Sequence, residues 1–355
     1  MKHLKRIALA VFAVALVSTS VIPALSAAAV ESGSSSALSI VPKKNYVIEP
    51  GKSVDDTLVI RNLETSAPLK LSLRVVDFSY TDDTGTPKLF FDENIEPTTW
   101  SLKPFLTLPK EVTIPAGETK TLDMNVAIPS TQGAGSFYSA IVYSSGASEG
   151  GNVGLSASGV TLVFTNVPGK VNEDLQIEKF GPYHKTTPSQ QAGYNPYIST
   201  QEPDMFAYTL KNNGNVVEAP AGSIKLRNMF GKEYTIDNIN PVSSLALIGQ
   251  SRTFTVCIKT AKQDVDFNGE KTQAGACVSP GLWPGYYQTS IEVFYGQNGN
   301  LTKELVKSGG FWYMPWWFII ICIVVLAIVA YFVWKFVRFV RMFRDPSKVK
   351  AKKKK

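Results

Sequence analysis

The sequence predicts an all-β chain of two β-sandwich domains in tandem, followed by one C-terminal membrane-spanning helix. Three observations predict it. From Leu38 onward, short apolar runs alternate with period two and are separated by Gly, Pro, Asn and Asp, as in residues 57–60, 69–76, 119–128 and 137–143. No amphipathic helix of ordinary length is written before residue 311. Residues 311–334 then form a run of 24 without a charge. At ~1.5 Å per residue that run makes about 36 Å of helix, enough for a ~30 Å hydrocarbon core with some tilt.

The chain opens with a basic stretch (Lys2, Lys5, Arg6), an apolar run over 7–17 and small residues at 24–29. This order predicts a secretory signal peptide over 1–29, cleaved between Ser26 and Ala29. The apolar run is short for a spanning helix, which disfavours the alternative of an uncleaved anchor. Residues 30–37 (VESGSSSA) read as a flexible spacer.

The first sandwich is placed at 38–168. Its Gly/Ser-rich stretch 144–158 reads as a loop within the domain, because the strand 160–167 beyond it needs a partner and closes the sheet. Pro168-Gly169 marks the boundary, and the second sandwich is placed at 169–308. Each part is about 130 residues, enough for a core of its own.

The two halves echo each other. In the first, the strand 56–60 leads to Arg61-Asn62, followed by Ile114-Pro115-Ala116-Gly117-Glu118 and Gly135-Ser136-Phe137-Tyr138. In the second, 206–210 leads to Lys211-Asn212-Asn213-Gly214, followed by Leu247-Ile248-Gly249-Gln250-Ser251 and Pro284-Gly285-Tyr286-Tyr287. Asn and Gly tolerate positive φ and recur where a sheet reverses, so the echo predicts a duplicated, immunoglobulin-like module.

These residues carry a resemblance. Pro50-Gly51-Lys52-Ser53 ahead of the strand into Asn62, the IPAGET stretch at 114–119 and Gly135–Ile141 resemble the WxL-interacting proteins of bacterial cell surfaces. So does the layout of signal peptide, two sandwiches, one span and a basic tail. The resemblance implies a first domain that binds peptidoglycan and a second that binds the WxL domain of a partner surface protein.

Cys257 and Cys277 bracket 19 mostly polar residues. In an exported domain this pattern is most simply a disulfide closing the neck of the 257–277 insertion, worth ~3 kcal/mol by loop-closure entropy; the alternative is two free thiols. The third, Cys322, falls in the span. Inside the insertion Asp264, Asp266 and Asn268, with Gly269 in sixth place, match the first half of a Ca2+ loop. The twelfth place holds Gly275 where a bidentate Glu is needed, so an acidic Asn-Gly hairpin tip is the preferred reading. No cofactor is expected, with Ca2+ through a shorter ligand set as the one exception.

Aromatic residues beside turns are the candidate ligand and partner contacts: Trp100, Tyr138 and Tyr143 in the first domain, Trp283, Tyr286 and Tyr287 in the second. A core or corner role is the preferred reading for both Trp, given the area an indole buries. At the membrane, Trp312, Trp316 and Trp317 form one interfacial belt, and Trp334 with Lys335 and Arg338 the other. The basic tail 335–355 points the C-terminus into the cytoplasm and the N-terminus outside. Phe336, Phe339, Val340 and Phe343 continue the helical period, and an extension of the span is preferred over a dedicated anionic-lipid patch.

Charge and chemistry exclude other classes. The formal +7 resolves into +3 in residues 1–29, +9 in 335–355 and −5 between them. A basic stripe on a folded domain is what nucleic-acid binding needs, and this chain lacks one. Beyond His3, His184 is the one imidazole, too few for a His-based triad or a His-rich metal site. The carboxylate pairs Asp55/Asp56, Asp82/Asp83 and Asp92/Glu93 read as solvated turn tips, and no nucleophile, zinc or phosphate-loop motif occurs. The expected function is non-enzymatic: a membrane-anchored adaptor bridging wall polymer and a partner surface protein. A structural stalk or subunit of a surface complex is the alternative.

Overall fold

Period-two runs become strands. The computed structural model describes residues 38–80, 85–92, 98–145, 157–185, 191–267, 270–296 and 301–344. The signal peptide at 1–29, the spacer 30–37, Asp82/Asp83, Glu93, Asn268 and the tail beyond Arg344 lie outside the described residues.

The first module contributes β1 (Leu38–Ile40), β2 (Lys43–Val47), β3 (Ser53–Asn62), β4 (Leu69–Tyr80), β5 (Pro87–Phe90), β6 (Leu106–Thr107), β7 (Glu111–Ile114), β8 (Thr119–Ala127), β9 (Gly135–Ser145) and β10 (Ala157–Val167). They form one sheet in the order β1-β3-β8-β6 and another in the order β2-β10-β9-β4-β5, with β7 added to β4. Alternation turns Leu58, Ile60, Leu122, Met124 and Val126 of one sheet toward Leu71, Leu73, Ile141, Tyr143 and Val163 of the other, and these make one core.

The second module contributes β11 (Leu175–His184), β12 (Gly193–Tyr194), β13 (Ile198–Ser199), β14 (Met205–Asn212), β15 (Ala221–Asn228), β16 (Glu233–Ile236), β17 (Ser251–Cys257), β18 (Thr260–Phe267), β19 (Glu270–Cys277), β20 (Gly285–Tyr295) and β21 (Lys303–Tyr313). Its sheets are β12-β11-β14-β17 and β13-β21-β20-β15-β16, with β18-β19 as a separate hairpin. Phe206, Tyr208, Phe254, Tyr287, Ile291 and Phe311 lie in its core.

The echo in sequence is an echo in topology. In each module one early strand pairs in parallel with the last strand, β2 with β10 and β13 with β21. In each, a buried Asn ends a central strand. Asn62 Nδ2 donates to the carbonyls of Ala67, Ile114 and Pro115, and its Oδ1 accepts the Glu64 N–H. Asn212 Nδ2 donates to the carbonyls of Val216 and Ala246, and its Oδ1 accepts the Gly214 N–H. The Asn62 N–H reaches the Glu118 carbonyl and the Asn212 N–H the Gln250 carbonyl, each next to a glycine at φ 71° or 72° (Gly117, Gly249). One side chain thus satisfies the backbone of two reversals that have no ladder to join.

The helix differs from the sequence reading at its start. The uncharged run divides: β21 runs through Tyr313, past the expected domain end at 308, and α1 (Trp316–Arg344) begins five residues after Phe311. Phe311 is a core residue, stacked on Tyr287 at 5.2 Å. A charge-free stretch reads the same whether sheet or lipid covers it, which is why the sequence merges the two. Pro315 accepts the first helical bonds, from the Phe318 and Ile319 N–H groups. Residues 316–341 are long and apolar enough to cross a membrane.

The Asn pair yields a prediction. Asn62→Ala leaves the buried Ile114 carbonyl, and Asn212→Ala the buried Val216 and Ala246 carbonyls, without this donor and lowers unfolding free energy by about 2–4 kcal/mol. Denaturant unfolding of the detergent-solubilised chain measures this. A loss below about 1 kcal/mol contradicts the role assigned to the side chain.

Candidate functional site

The sheet β2-β10-β9-β4-β5 has a second apolar face, and the second module covers it. Val76, Phe78, Tyr138, Ala140, Val142 and Phe164 of that face cluster with Leu247 and Ile248, which sit in the turn held by Asn212. Polar contacts frame the cluster. The Ser136 N–H donates to the Asn215 carbonyl (2.9 Å), the Val217 N–H donates to Ser136 Oγ (2.9 Å), and Asn215 Nδ2 donates to the Ala134 carbonyl (2.9 Å). On the other side the Tyr80 N–H donates to Gln250 Oε1, and the Arg252 guanidinium lies 4.6 Å from the Tyr80 ring centre.

This junction corrects several expectations. Tyr138 is buried beneath it, and burial raises its phenol pKa above the usual tyrosine range, with Asp77 adding to the effect. Half-buried Trp100 stacks over Tyr138, so it seals a seam between modules. Tyr143 is also buried and bonded to Thr161, in the core of the first module. Tyr287 is buried on Phe311, its hydroxyl donates to the Trp283 carbonyl, and burial pushes its pKa up to about 12. None of these three tyrosines can be a surface anchor, because the sandwich core and the junction already cover them. Sequence position beside a turn does not report which face of the sheet a ring joins.

Trp283 and Tyr286 fare differently. Trp283 is 66% exposed. Tyr286 is half-buried on the outer face of its sheet, against Trp312 at 5.5 Å. Trp312 belongs to β21, and its N–H donates to the Tyr197 carbonyl, which removes it from the helical belt. Trp316, Trp317, Trp334, Lys335 and Arg338 all lie on α1, where Arg338 sits 5.5 Å from the Trp334 ring centre.

The 257–277 insertion is more regular than its composition suggested. The Cys257–Cys277 disulfide closes it, and β18 pairs with β19 up to Phe267 opposite Glu270. Asp264 and Asp266 stand two apart on β18, opposite Gln273 and Lys271. Among the described residues no cluster of three metal-binding side chains occurs.

Sequence reasoning missed a groove on the first module. Asp55 and Asp56 are on β3, not at a turn tip. Asp55, Asp56 and Thr57 line an open groove of about 670 Å³ with Asp123 and Asn125 of β8, Thr107 of β6 and the following Leu108. Asn125 Nδ2 donates to Asp55 Oδ1 at 2.7 Å. Asp56 also clasps the two sheets. It accepts from Lys44 and Tyr46 of β2, and these bonds, Lys44 first, hold its carboxyl down to about 2. The signal in the sequence was polar alternation, Asp55-x-Thr57 facing Asp123-x-Asn125.

One buried acid lies next to the junction. Glu218 pairs with Ala246, one residue from Leu247, and accepts the Gly296 N–H (3.2 Å). Burial, then the nearby Glu173 charge, pushes its carboxyl up to about 7; the Gly296 bond and Lys303 oppose this.

No protein-family model matches the sequence, and no curated protein matches it. Among solved structures, a chain of the chaperone–tip adhesin complex of CFA/I fimbriae is similar over 78% of this chain and 99% of its own, at 10% identity and a TM-score of 0.35. The Class 5 fimbriae chaperone CfaA is similar over 76% and 98%, at 11% identity and a TM-score of 0.33. The E. coli chaperone DraB is similar over 67% and 96%, at 13% identity and a TM-score of 0.30.

Glu218 predicts a pH dependence with a definite sign. Its folded pKa of about 7 exceeds the ordinary 4.5, so the folded chain binds the proton more tightly. The contribution to stability is complete below about pH 4.5 and is lost as pH rises through 7. Glu218→Gln flattens that slope and raises stability at pH 8 by on the order of 2 kcal/mol. Thermal melts of both chains from pH 5 to 8 check this; parallel slopes contradict it.

Proposed function

We propose that this chain is a single-pass surface adaptor. In this reading α1 crosses the membrane, both sheet modules lie outside, and the basic tail lies in the cytoplasm. The modules bind a wall polymer and a partner surface protein and hold them near the membrane, without chemical turnover. The observation that supports this most is mechanical. The two modules share an apolar junction, and only Met314 and Pro315 separate the last strand from α1. Anything bound to either module is therefore held at a set distance from the helix.

The groove along Asp55, Thr57, Asp123 and Asn125 suits the polymer. Its carboxylates and amide, on rigid strands, offer acceptors for the hydroxyl and amino groups of a glycan or its peptide. The similarity to WxL-interacting proteins supports peptidoglycan as that polymer and a WxL-type protein as the partner, with the disulfide-closed hairpin as the protruding feature of the second module.

Co-sedimentation of the purified chain with isolated cell wall tests the reading. Binding is expected, and Asp55→Ala with Asn125→Ala weakens it about tenfold, the equivalent of 1.4 kcal/mol. A chain that sediments with no wall preparation argues for the stalk reading instead.

A further inference from the structure

Hairpin tips are normally polar, since Asn, Gly and Asp meet the backbone demands of the turn. The β15–β16 turn obeys that rule in its frame. Asn228 Oδ1 accepts the Phe230 N–H, the Asn228 carbonyl accepts the Gly231 N–H, and Gly231 takes φ 90°. Between them stand Met229 and Phe230, 57% and 72% exposed. The neighbouring turn carries Trp283, and the two turns are laced by a bond from the Met229 N–H to the Tyr286 carbonyl (2.9 Å). Gly285 is needed there, because a Cβ would lie 3.0 Å from Met229 Sδ in a backbone at φ 139°. The fold thus holds Met229 against the Gly285 turn and leaves Phe230 and Trp283 72% and 66% exposed on a rigid pair of turns.

These turns face the helix. Phe230, Trp283 and Pro284 share a cavity of about 510 Å³ with Trp317, Phe318 and Ile321 of α1, with Lys232 at its rim. The helix sets the depth of that cavity. From Trp316 to Trp334 it rises ~27 Å, close to the ~30 Å thickness of a hydrocarbon core, so the two Trp belts mark its two boundaries. Ile321 lies four residues beyond Trp317, ~6 Å further in. A wall shared by Phe230 and Ile321 therefore lies at or just below the outer boundary.

We propose that the 229–230 and 283 tips insert into the outer leaflet, and that the cavity holds the acyl chain of a phospholipid whose phosphate lies beside Lys232. This rests on the membrane-spanning reading above. The occupant is argued from continuity: the apolar tips extend the helix's own lipid-facing surface, and a cation at the rim matches the phosphate layer. The second module is then seated on the membrane, with α1 and two turns as its three supports.

The test uses the full chain with Cys322→Ser, leaving the disulfide intact, in vesicles of phosphatidylethanolamine and phosphatidylglycerol. An environment-sensitive fluorophore is placed at Met229→Cys, at Leu63→Cys on the first module, or at Ile328→Cys in mid-helix, and quenched with lipids spin-labelled at shallow or deep positions. The 229 probe is expected to be quenched at least about twofold by the shallow label and the 63 probe not at all; adding Phe230→Ser and Trp283→Ser abolishes the effect at 229 while sparing 328. A water-like 229 probe beside a deeply quenched 328 probe overturns the seating alone and leaves the tips to a protein partner. An unquenched 328 probe overturns the membrane reading and the seating together.

Discussion

Asn212 organises more of this molecule than any other side chain. Fully buried at the end of β14, it fixes the reversal that carries Leu247 and Ile248. Those two residues fill the apolar face that Phe78, Tyr138 and Phe164 would otherwise leave open to water. A buried amide with all its bonds made specifies one turn geometry, since any other leaves a polar group unpaired. The turn geometry then specifies where the second module meets the first. Local hydrogen bonding and long-range architecture are therefore one problem here, solved at one residue.

The first pair of sheets carries the same Asn-held reversal with a different crest. In the first module the equivalent of Leu247-Ile248 is Pro115-Ala116, on an exposed reversal held by Asn62 in the same way. The backbone frame is shared: an Asn ladder, then a glycine at positive φ, then a strand. What differs is the pair of side chains at its crest. Small and surface-tolerant in one copy, they are large and apolar in the other, and there they have a partner face to bury. Burying a Leu or Ile is worth ~1.5–3 kcal/mol, so the two crest residues contribute directly to the contact between the two pairs of sheets.

Period two and turn chemistry made the strands legible, and the repeat was legible because both copies need Asn and Gly at the same reversals. The helix was legible from its length and its missing charges. Three features were not. Alternation says that one face of a strand is apolar and is silent about a second apolar face, so Tyr138 reads as a ligand contact when it is covered by the other module. A run without charge does not say where a core strand ends and an exposed apolar helix begins, hence the misplacement of Phe311 and Trp312. The groove was hidden because Asp55 and Asp56 look alike in sequence, while the pleat sends one to solvent and the other into a clasp between sheets.

The same pleat argument separates decoration from constraint across the rest of the surface. Exposed aromatics are ordinary when scattered, and informative when the backbone beneath them is fixed at both ends. Asp56 held by Lys44 and Tyr46, Tyr287 held by the Trp283 carbonyl and Gly285 pressed on Met229 each fix backbone close to an exposed or open feature. In each case the rigidity comes from the core side of the strand and the chemistry is displayed on the other. A helix separated from the last strand by Met314 and Pro315 alone receives that rigidity, since Pro315 has a fixed φ and the Met314 N–H is bonded to the Ser199 carbonyl. If α1 spans a membrane as proposed, tilting it tilts both sheet modules with it, and the orientation of the groove and the depth of the Trp283 turn become two readings of a single angle.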